Sequence, residues 1–177
     1  MSANEGKPHE WLVSDYFSIE GVEHAGVFSN VDFVWEAVEN INAYIDGFEN
    51  WAIQSDIPPH CALSNSELIY IGKNVTIDPY SCIMGPCIIE EGAHIGPHSF
   101  VRPYTIVGRG AAVGHCSEVK RSFLFPGCKL PHFNYVGDSI IGARVGLGAG
   151  AICANLKLDR SDIVIYKGGK KWPTNRR

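Results

Sequence analysis

The stretch LPHFNYVGDSIIG, residues 130–142, sets His132 between a proline and an aromatic, three residues before Tyr135. A neutral imidazole titrates near neutrality, so it can take a proton from an attacking amine at cellular pH. Arg102 and Lys120 are eighteen residues apart, His115 and His132 seventeen. If those intervals bring side chains together, two cations, an imidazole, Tyr135 and Asn155 share one region. Cations that can hold a phosphorylated substrate, beside a base that can deprotonate its amine, suit amide-forming acyl transfer.

The intervals follow from a repeat. Counting in sixes from Ile71 gives Ile77, Ile83, Ile89, Ile95, Val101, Val107, Val113 and Val119, then Leu124, Leu130, Val136, Ile141, Leu147 and Cys153. The spacing contracts to five twice, at Val119–Leu124 and Val136–Ile141. A six-residue period fits neither an amphipathic helix nor a half-buried strand. It fits a short strand and a turn with one aliphatic side chain pointing inward, three strands making one triangular coil of a parallel β-helix. The second position is often glycine, as at Gly72, Gly96, Gly108 and Gly114, which predicts a backbone relaxed around the bend. The expected fold class is all-β, a parallel β-helix with an N-terminal α-helical segment.

Stacked coils lie about 4.8 Å apart, so residues eighteen apart, or seventeen across a contraction, are neighbours. The first face then stacks Ile83, Val101, Val119, Val136 and Cys153, and the third stacks Ile77, Ile95, Val113, Leu130 and Leu147. Arg102 and Lys120 project from consecutive coils of the first face and repel unless an anion intervenes. A phosphate is the natural partner, a solvated basic spot the alternative. His115 falls below His132, and Ala149 above it, where the Ala149 backbone N–H can stabilise the oxyanion of a tetrahedral intermediate. Asn155 sits two coils above Lys120.

Three segments are expected: an acidic segment at 1–60, the β-helix at 61–155, and a loop with a basic tail at 156–177. Residues 1–60 carry eleven Asp/Glu against one Lys, and residues 157–177 seven Lys/Arg against two Asp. An acidic head and a basic tail argue against a nucleic-acid-binding protein; the tail either contacts phosphates or is a solvated arm. Apolar residues at helical spacing predict an amphipathic helix over about 32–47, with Asp32 as N-cap and Gly47 as stop, packing on the first coil and closing its strand edge. Trp11, Trp35 and Trp51 are expected to be packing residues. No apolar run approaches the length of a membrane span, and the N-terminus lacks a secretory signal. The six cysteines show no CxxC pair or zinc spacing, so reduced thiols, a cytoplasmic location and no metal are expected.

Residues 101–155, with RPYT, EVK, PHFNYVGD and LGAGAICAN, resemble the acetyltransferase half of the bifunctional N-acetylglucosamine-1-phosphate uridyltransferase family, a hexapeptide-repeat acyltransferase. The resemblance implies a left-handed β-helix, a homotrimer with sites between subunits, and acetyl-CoA as cosubstrate. It implies His132 as the general base on a glucosamine-1-phosphate-like acceptor, with Arg102, Lys120 and Tyr135 on the sugar phosphate. Ala149 would serve the thioester oxygen and Asn155 the acyl-CoA arm. Gly146 stands where the family usually has Asn, and Leu156 where it has Tyr; ANLKLD is closer to a variant branch in which Lys157 supplies a substrate-binding cation. No Gly-rich nucleotide loop is present, so no uridyltransferase activity is expected. Family members continue with further coils beyond the loop that here ends at Arg177, carrying much of the coenzyme A site. Two other readings stay open. One is a catalytically silent trimerisation or regulatory module of a sugar nucleotidyltransferase. The other is the metal-dependent chemistry of carbonic anhydrases of this fold, for which Lys120 occupies a ligand's place.

Overall fold

Each aliphatic residue of the repeat points into one continuous interior column. The computed structural model of the chain describes residues 11–154 and 156–174. Parallel strands of two to four residues form three sheets of six, five and four strands, the faces of a prism. On the first face Ile83, Val101, Val119, Val136 and Cys153 stack in register. The second stacks Ile71, Ile89, Val107, Leu124 and Ile141. The third stacks Ile77, Ile95, Val113 and Leu130, with Leu147 continuing the column through the Leu147 N–H bonded to the Lys129 carbonyl at 3.0 Å. Most of these side chains are fully buried, each contributing about 1.5–3 kcal/mol relative to exposure. The fold is the hexapeptide-repeat β-helix expected from the period.

The coils turn at residues held in the left-handed region. One corner runs through His60, Tyr80, His98, Cys116, Phe133 and Gly150, another through Asn74, Gly92, Gly110, Gly127 and Arg144. The second-position glycines do different work from that expected. Their φ values are ordinary, and what they supply is room: a Cβ on Gly72 would lie 2.7 Å from the Glu91 nitrogen, and one on Gly108 2.6 Å from the Leu124 carbonyl oxygen. Coil-to-coil contact, rather than freedom at a bend, selects glycine there.

The N-terminal helix, Ala37–Asp46, follows a 3-10 turn, Val34–Glu36. Asp32 is not its cap. The Asp32 and Phe33 N–H groups donate to the Glu36 carboxylate at 2.7 and 3.0 Å, so Glu36 reaches back to close the turn. Gly47 follows the last helical residue, and its N–H donates to the Ala43 carbonyl at 3.2 Å. The helix also does not close the first coil. Ala37, Ile41 and Ile45, on one stripe, bury against Ile88, Ile106, Phe123 and Phe125 on the outside of the second face, together with Val27 and Phe28. The open edge is taken instead by the segment after the helix. Ile53 bridges Ile71, with the Ile71 N–H donating to the Ala52 carbonyl and the Gln54 N–H to the Ile71 carbonyl, both at 2.8 Å. Ser55 Oγ donates to the Gly72 carbonyl at 2.6 Å and accepts from the Val75 N–H at 3.0 Å.

Beyond the coils, Val164–Lys167 and Lys170–Pro173 form an antiparallel hairpin. Trp172 from it meets Trp11 edge to face, and Lys167 lies 4.7 Å from the Trp11 ring centre. Among the described residues no helix is long and apolar enough to cross a membrane.

Candidate active site

His132 ends the third-face strand Lys129–His132, and its side chain is exposed. Its N–H donates to Asn134 Oδ1 at 3.2 Å, and the buried Asn134 amide donates in turn to the Gly148 and Ala151 carbonyls. This buried asparagine ties the histidine's corner to the coil above. The Gly150 N–H donates to the His132 carbonyl at 3.1 Å, which sets Ala149 beside His132 one coil up, as the stacking arithmetic requires. The Ala149 N–H finds no acceptor among the described residues. A backbone donor beside an exposed imidazole is what an oxyanion site needs.

His115 pairs with His132 in register, but its ring serves a different structure. At the turn column the rings of His60, Tyr80 and His98 stack, each pair 5.4 Å apart and nearly parallel. Cys116 interrupts that column, having no ring where His98 below it and Phe133 above it do. The His115 ring fills the gap, edge-on at 6.2 Å to His98 and 5.1 Å to Phe133, with Nε2 3.2 Å from Cys116 Sγ. His115 is thus a rung of a corner ladder rather than a partner of the His132 ring, and Phe133, 59% exposed, ends the ladder next to His132.

Tyr135 opens the first-face strand Tyr135–Gly137, and its ring lies along that strand over Gly137, where an added Cβ would sit 2.6 Å from Tyr135 Oη. Gly137 is in register with Lys120, so the phenol reaches the Lys120 end of the face. His132 ends its strand three residues before Tyr135 opens the next face, and the Tyr135 ring runs from that corner toward Lys120.

Arg102 and Lys120 project from consecutive coils, and their repulsion is already answered within the chain. Arg102 Nη1 donates to Glu118 Oε1 at 2.7 Å, and Lys120 Nζ lies 3.9 Å from Asp138 Oδ2. Asp138, whose side chain is 11% exposed, also accepts a hydrogen bond from Arg121 Nε. Glu118, Arg121 and Asp138 were missed from the sequence, although Arg121 and Asp138 are seventeen residues apart and the same coil arithmetic pairs them. Beyond Asp138 a cavity of about 230 Å³ opens between the Gly137–Ser139 corner, Trp35, Val38 and Glu39 of the N-terminal layer, Ile165 of the hairpin, and Ile163 and Thr174 flanking it.

Lys157 does not extend toward the cations. Its Nζ donates to Ser161 Oγ at 3.2 Å and to the Asp162 carbonyl at 2.7 Å, closing its own loop. Asn155 lies outside the described residues. Among those described, one group gathers carboxylates and an imidazole within metal-ligand reach: Glu23, His24 and Glu90, with ligand atoms within 4.8 Å of one another. Both His24 nitrogens are engaged, Nδ1 with Tyr44 Oη at 3.0 Å and Nε2 with Glu90 Oε1 at 2.7 Å. Glu90 is 3% exposed. Burial alone would raise its carboxyl, but the hydrogen bond and charge of His24, with Glu23 and Arg109, hold it below the usual value. This group latches the N-terminal layer to the β-helix.

Residues 83–167 match the family described as the GMPPB C-terminal domain. A bifunctional sugar-1-phosphate nucleotidylyltransferase/acetyltransferase of Sulfurisphaera tokodaii is 30% identical over 94% of this chain and 41% of its own length. The bifunctional protein GlmU of Methanococcus vannielii is 32% identical over 93% of this chain and 50% of its own, and that of Ruthia magnifica 37% identical over 66% and 25%. The chain spans half or less of the length of these relatives.

Proposed function

We propose that this chain, a hexapeptide-repeat left-handed β-helix protein related to the sugar-1-phosphate nucleotidylyltransferase/acetyltransferases, transfers an acetyl group from acetyl-CoA to the amine of an amino-sugar phosphate. The observation that carries the reading is the Ala149 N–H beside an exposed His132, at the corner leading to the face that bears Lys120 and Arg102. The amine nitrogen attacks the thioester carbonyl, and His132 accepts the proton that the nitrogen loses as the C–N bond forms. Negative charge gathers on the carbonyl oxygen, where the Ala149 N–H donates to it. The intermediate collapses with C–S cleavage, and the imidazolium returns its proton to the leaving sulfur.

Lys120 and Arg102 anchor the phosphate, exchanging part of their pairing with Asp138 and Glu118 for it. Tyr135 contacts the sugar phosphate beside Lys120. Lys157 joins the substrate only if its loop opens, and Asn155 takes the acyl-CoA arm. The active assembly is a homotrimer, working in the cytoplasm. The silent trimerisation reading draws support from the same ion pairs, since Arg102 and Lys120 have partners without a substrate.

The test is thiol release from acetyl-CoA with glucosamine-1-phosphate. Wild type turns over, and His132→Ala loses roughly 10²–10⁴-fold in kcat, the usual contribution of a general base. Equal rates overturn His132 as the base, and turnover by neither assigns the β-helix a scaffold role.

A further inference from the structure

The Ala149 N–H can serve an oxyanion only if its peptide is turned outward, and one buried side chain governs that turn. In a planar trans peptide the Gly148 carbonyl and the Ala149 N–H point in opposite directions, so whatever holds the carbonyl aims the donor. The carbonyl is held twice. It accepts from the Ala151 N–H at 3.1 Å, closing a turn at 148–151 with Gly150 at φ 75°, and from Asn134 Nδ2 at 2.7 Å. Asn134 is 2% exposed, and its partners fix which way its amide lies. Oδ1 accepts from the His132 N–H at 3.2 Å, while Nδ2 faces the Gly148 and Ala151 carbonyls. With the Gly148 carbonyl drawn into the corner, the Ala149 N–H is turned out of it.

Lower coils show the usual arrangement at this corner and what is changed here. Ser81, Ser99, Ser117, Asn134 and Ala151 occupy one position on successive coils, each just before a residue in register on the first face. Ser81 and Ser99 donate to the carbonyl three residues earlier in their own coil, that of Asp78 at 2.9 Å and that of Gly96 at 2.7 Å. The matching carbonyl in the upper coil is that of Gly148, and Ala151 has no hydroxyl to offer it. Asn134 reaches up from the coil below and makes that bond instead. The residue after the carbonyl changes as well. Pro79 and Pro97 have no N–H, whereas Ala149 has one, with no acceptor among the described residues. The corner that carries an unmet donor is the one whose carbonyl is held from beneath.

We infer that Asn134 is the positioning residue for the oxyanion donor: through the Gly148 carbonyl it keeps the Gly148–Ala149 peptide turned so that the Ala149 N–H meets the thioester oxygen. This rests on the acetyltransferase reading for what the donor meets, and deepens it by naming the side chain that aims the donor without touching substrate.

Substitutions along the serine column test it. Asn134→Ser puts at this corner the residue type found one coil below at Ser117, too short to reach Gly148, and Ala151→Ser then supplies the hydroxyl that Ser99 uses on Gly96. In the full chain with acetyl-CoA and glucosamine-1-phosphate, Asn134→Ser should lower kcat roughly 10–10²-fold with KM for the sugar phosphate unchanged. Asn134→Ser with Ala151→Ser should recover most of that loss. Ala149→Pro copies the Gly96-Pro97 pair and deletes the donor; it should lower kcat roughly 10²–10³-fold, and adding Asn134→Ser to it should cost nothing further. An unchanged kcat in Asn134→Ser, a loss that Ala151→Ser leaves in place, or an equal loss in the Ala149→Pro background overturns the positioning role. The Gly148 carbonyl carbon shift in NMR spectra reads the hold without turnover. It should move in Asn134→Ser and return with Ala151→Ser, and a shift that stays in place overturns the inference whatever the kinetics. The two readings fail separately: an inert wild type overturns acetyl transfer and the oxyanion role with it, even where the shift behaves as expected.

Discussion

The molecule has two hydrophobic cores built by opposite rules. Inside the prism aliphatic side chains one hexad apart stack on each face, and the column is regular from Ile71 to Leu147. Outside the second face the core mixes aliphatic residues from the N-terminal layer with a cluster of rings: Phe123, Phe125, Phe28 and Phe17 pack tilted or edge-on, with ring centres 4.7–6.5 Å apart. The inner core fixes register, because a slip of one residue would turn every aliphatic outward. The outer core fixes nothing about the coil; it attaches the N-terminal layer, and with it one wall of the corner cavity.

The largest expected effect separates the two. Phe123→Ala should cost about 3–5 kcal/mol and Leu124→Ala about 2–5 kcal/mol, as for other buried truncations. Their consequences should differ in kind. Loss of Phe123 exposes residues 11–60 to limited proteolysis while the β-helix keeps its far-ultraviolet signal, whereas loss of Leu124 lowers the melting of the coils themselves. Proteolysis of both variants in the same place would erase the distinction between the cores.

Next in size is the latch. Glu90→Gln should cost about 1–3 kcal/mol, the price of disrupting a buried charge-assisted pair, and should again release the N-terminal layer first. Since the Glu90 carboxyl is held below its ordinary value, its contribution is fully present above about pH 4.3 and is lost as the pH falls through the depressed value. Acid titration of wild type followed by Trp fluorescence should therefore show the layer loosening below that pH, and in Glu90→Gln this acid-dependent step should be missing.

A smaller effect concerns coil contact. Gly108→Ala places a methyl against the Leu124 carbonyl and should destabilise by about 1–3 kcal/mol, measured by urea unfolding, although Gly108 has ordinary φ. A neutral outcome would restore backbone freedom as the reason for glycine.

The mildest probe leaves the fold untouched. Burial pushes the Cys87 thiol up to about 12 and the Cys128 thiol up to about 11, and both face the interior, while Cys116 is exposed at the ladder corner. Maleimide should label Cys116 within minutes in native protein and reach Cys87 and Cys128 only on unfolding.

What the sequence made legible divides along the same line. The inner core has a short period with one residue type, so strand register, coil count and the placement of His132, Ala149, Arg102 and Lys120 could be worked out by counting. The outer core also has a period, and it was overlooked: Tyr70, Ile88, Ile106, Phe123 and Ile140, each just before an inward aliphatic, recur at eighteen or seventeen residues and mark the second face as apolar on both sides. Reading that stripe would have docked the helix correctly. Side-chain choices resisted counting for another reason. Register puts His115 under His132, but whether the ring turns to its neighbour or to Phe133 depends on the ringless Cys116 beside it. Likewise the pairing of Arg102 with Glu118 is diagonal rather than in register.

The segment Ala52–Ser55 has a consequence for how copies of this chain meet. A solenoid begins with a row of unpaired amides and carbonyls, and such a row templates the end of another molecule. Here Ile53 and Ser55 occupy that row along Ile71 and up to Val75, so the stack carries a built-in polarity. Another strand cannot pair with this part of the first coil without first peeling the strap away.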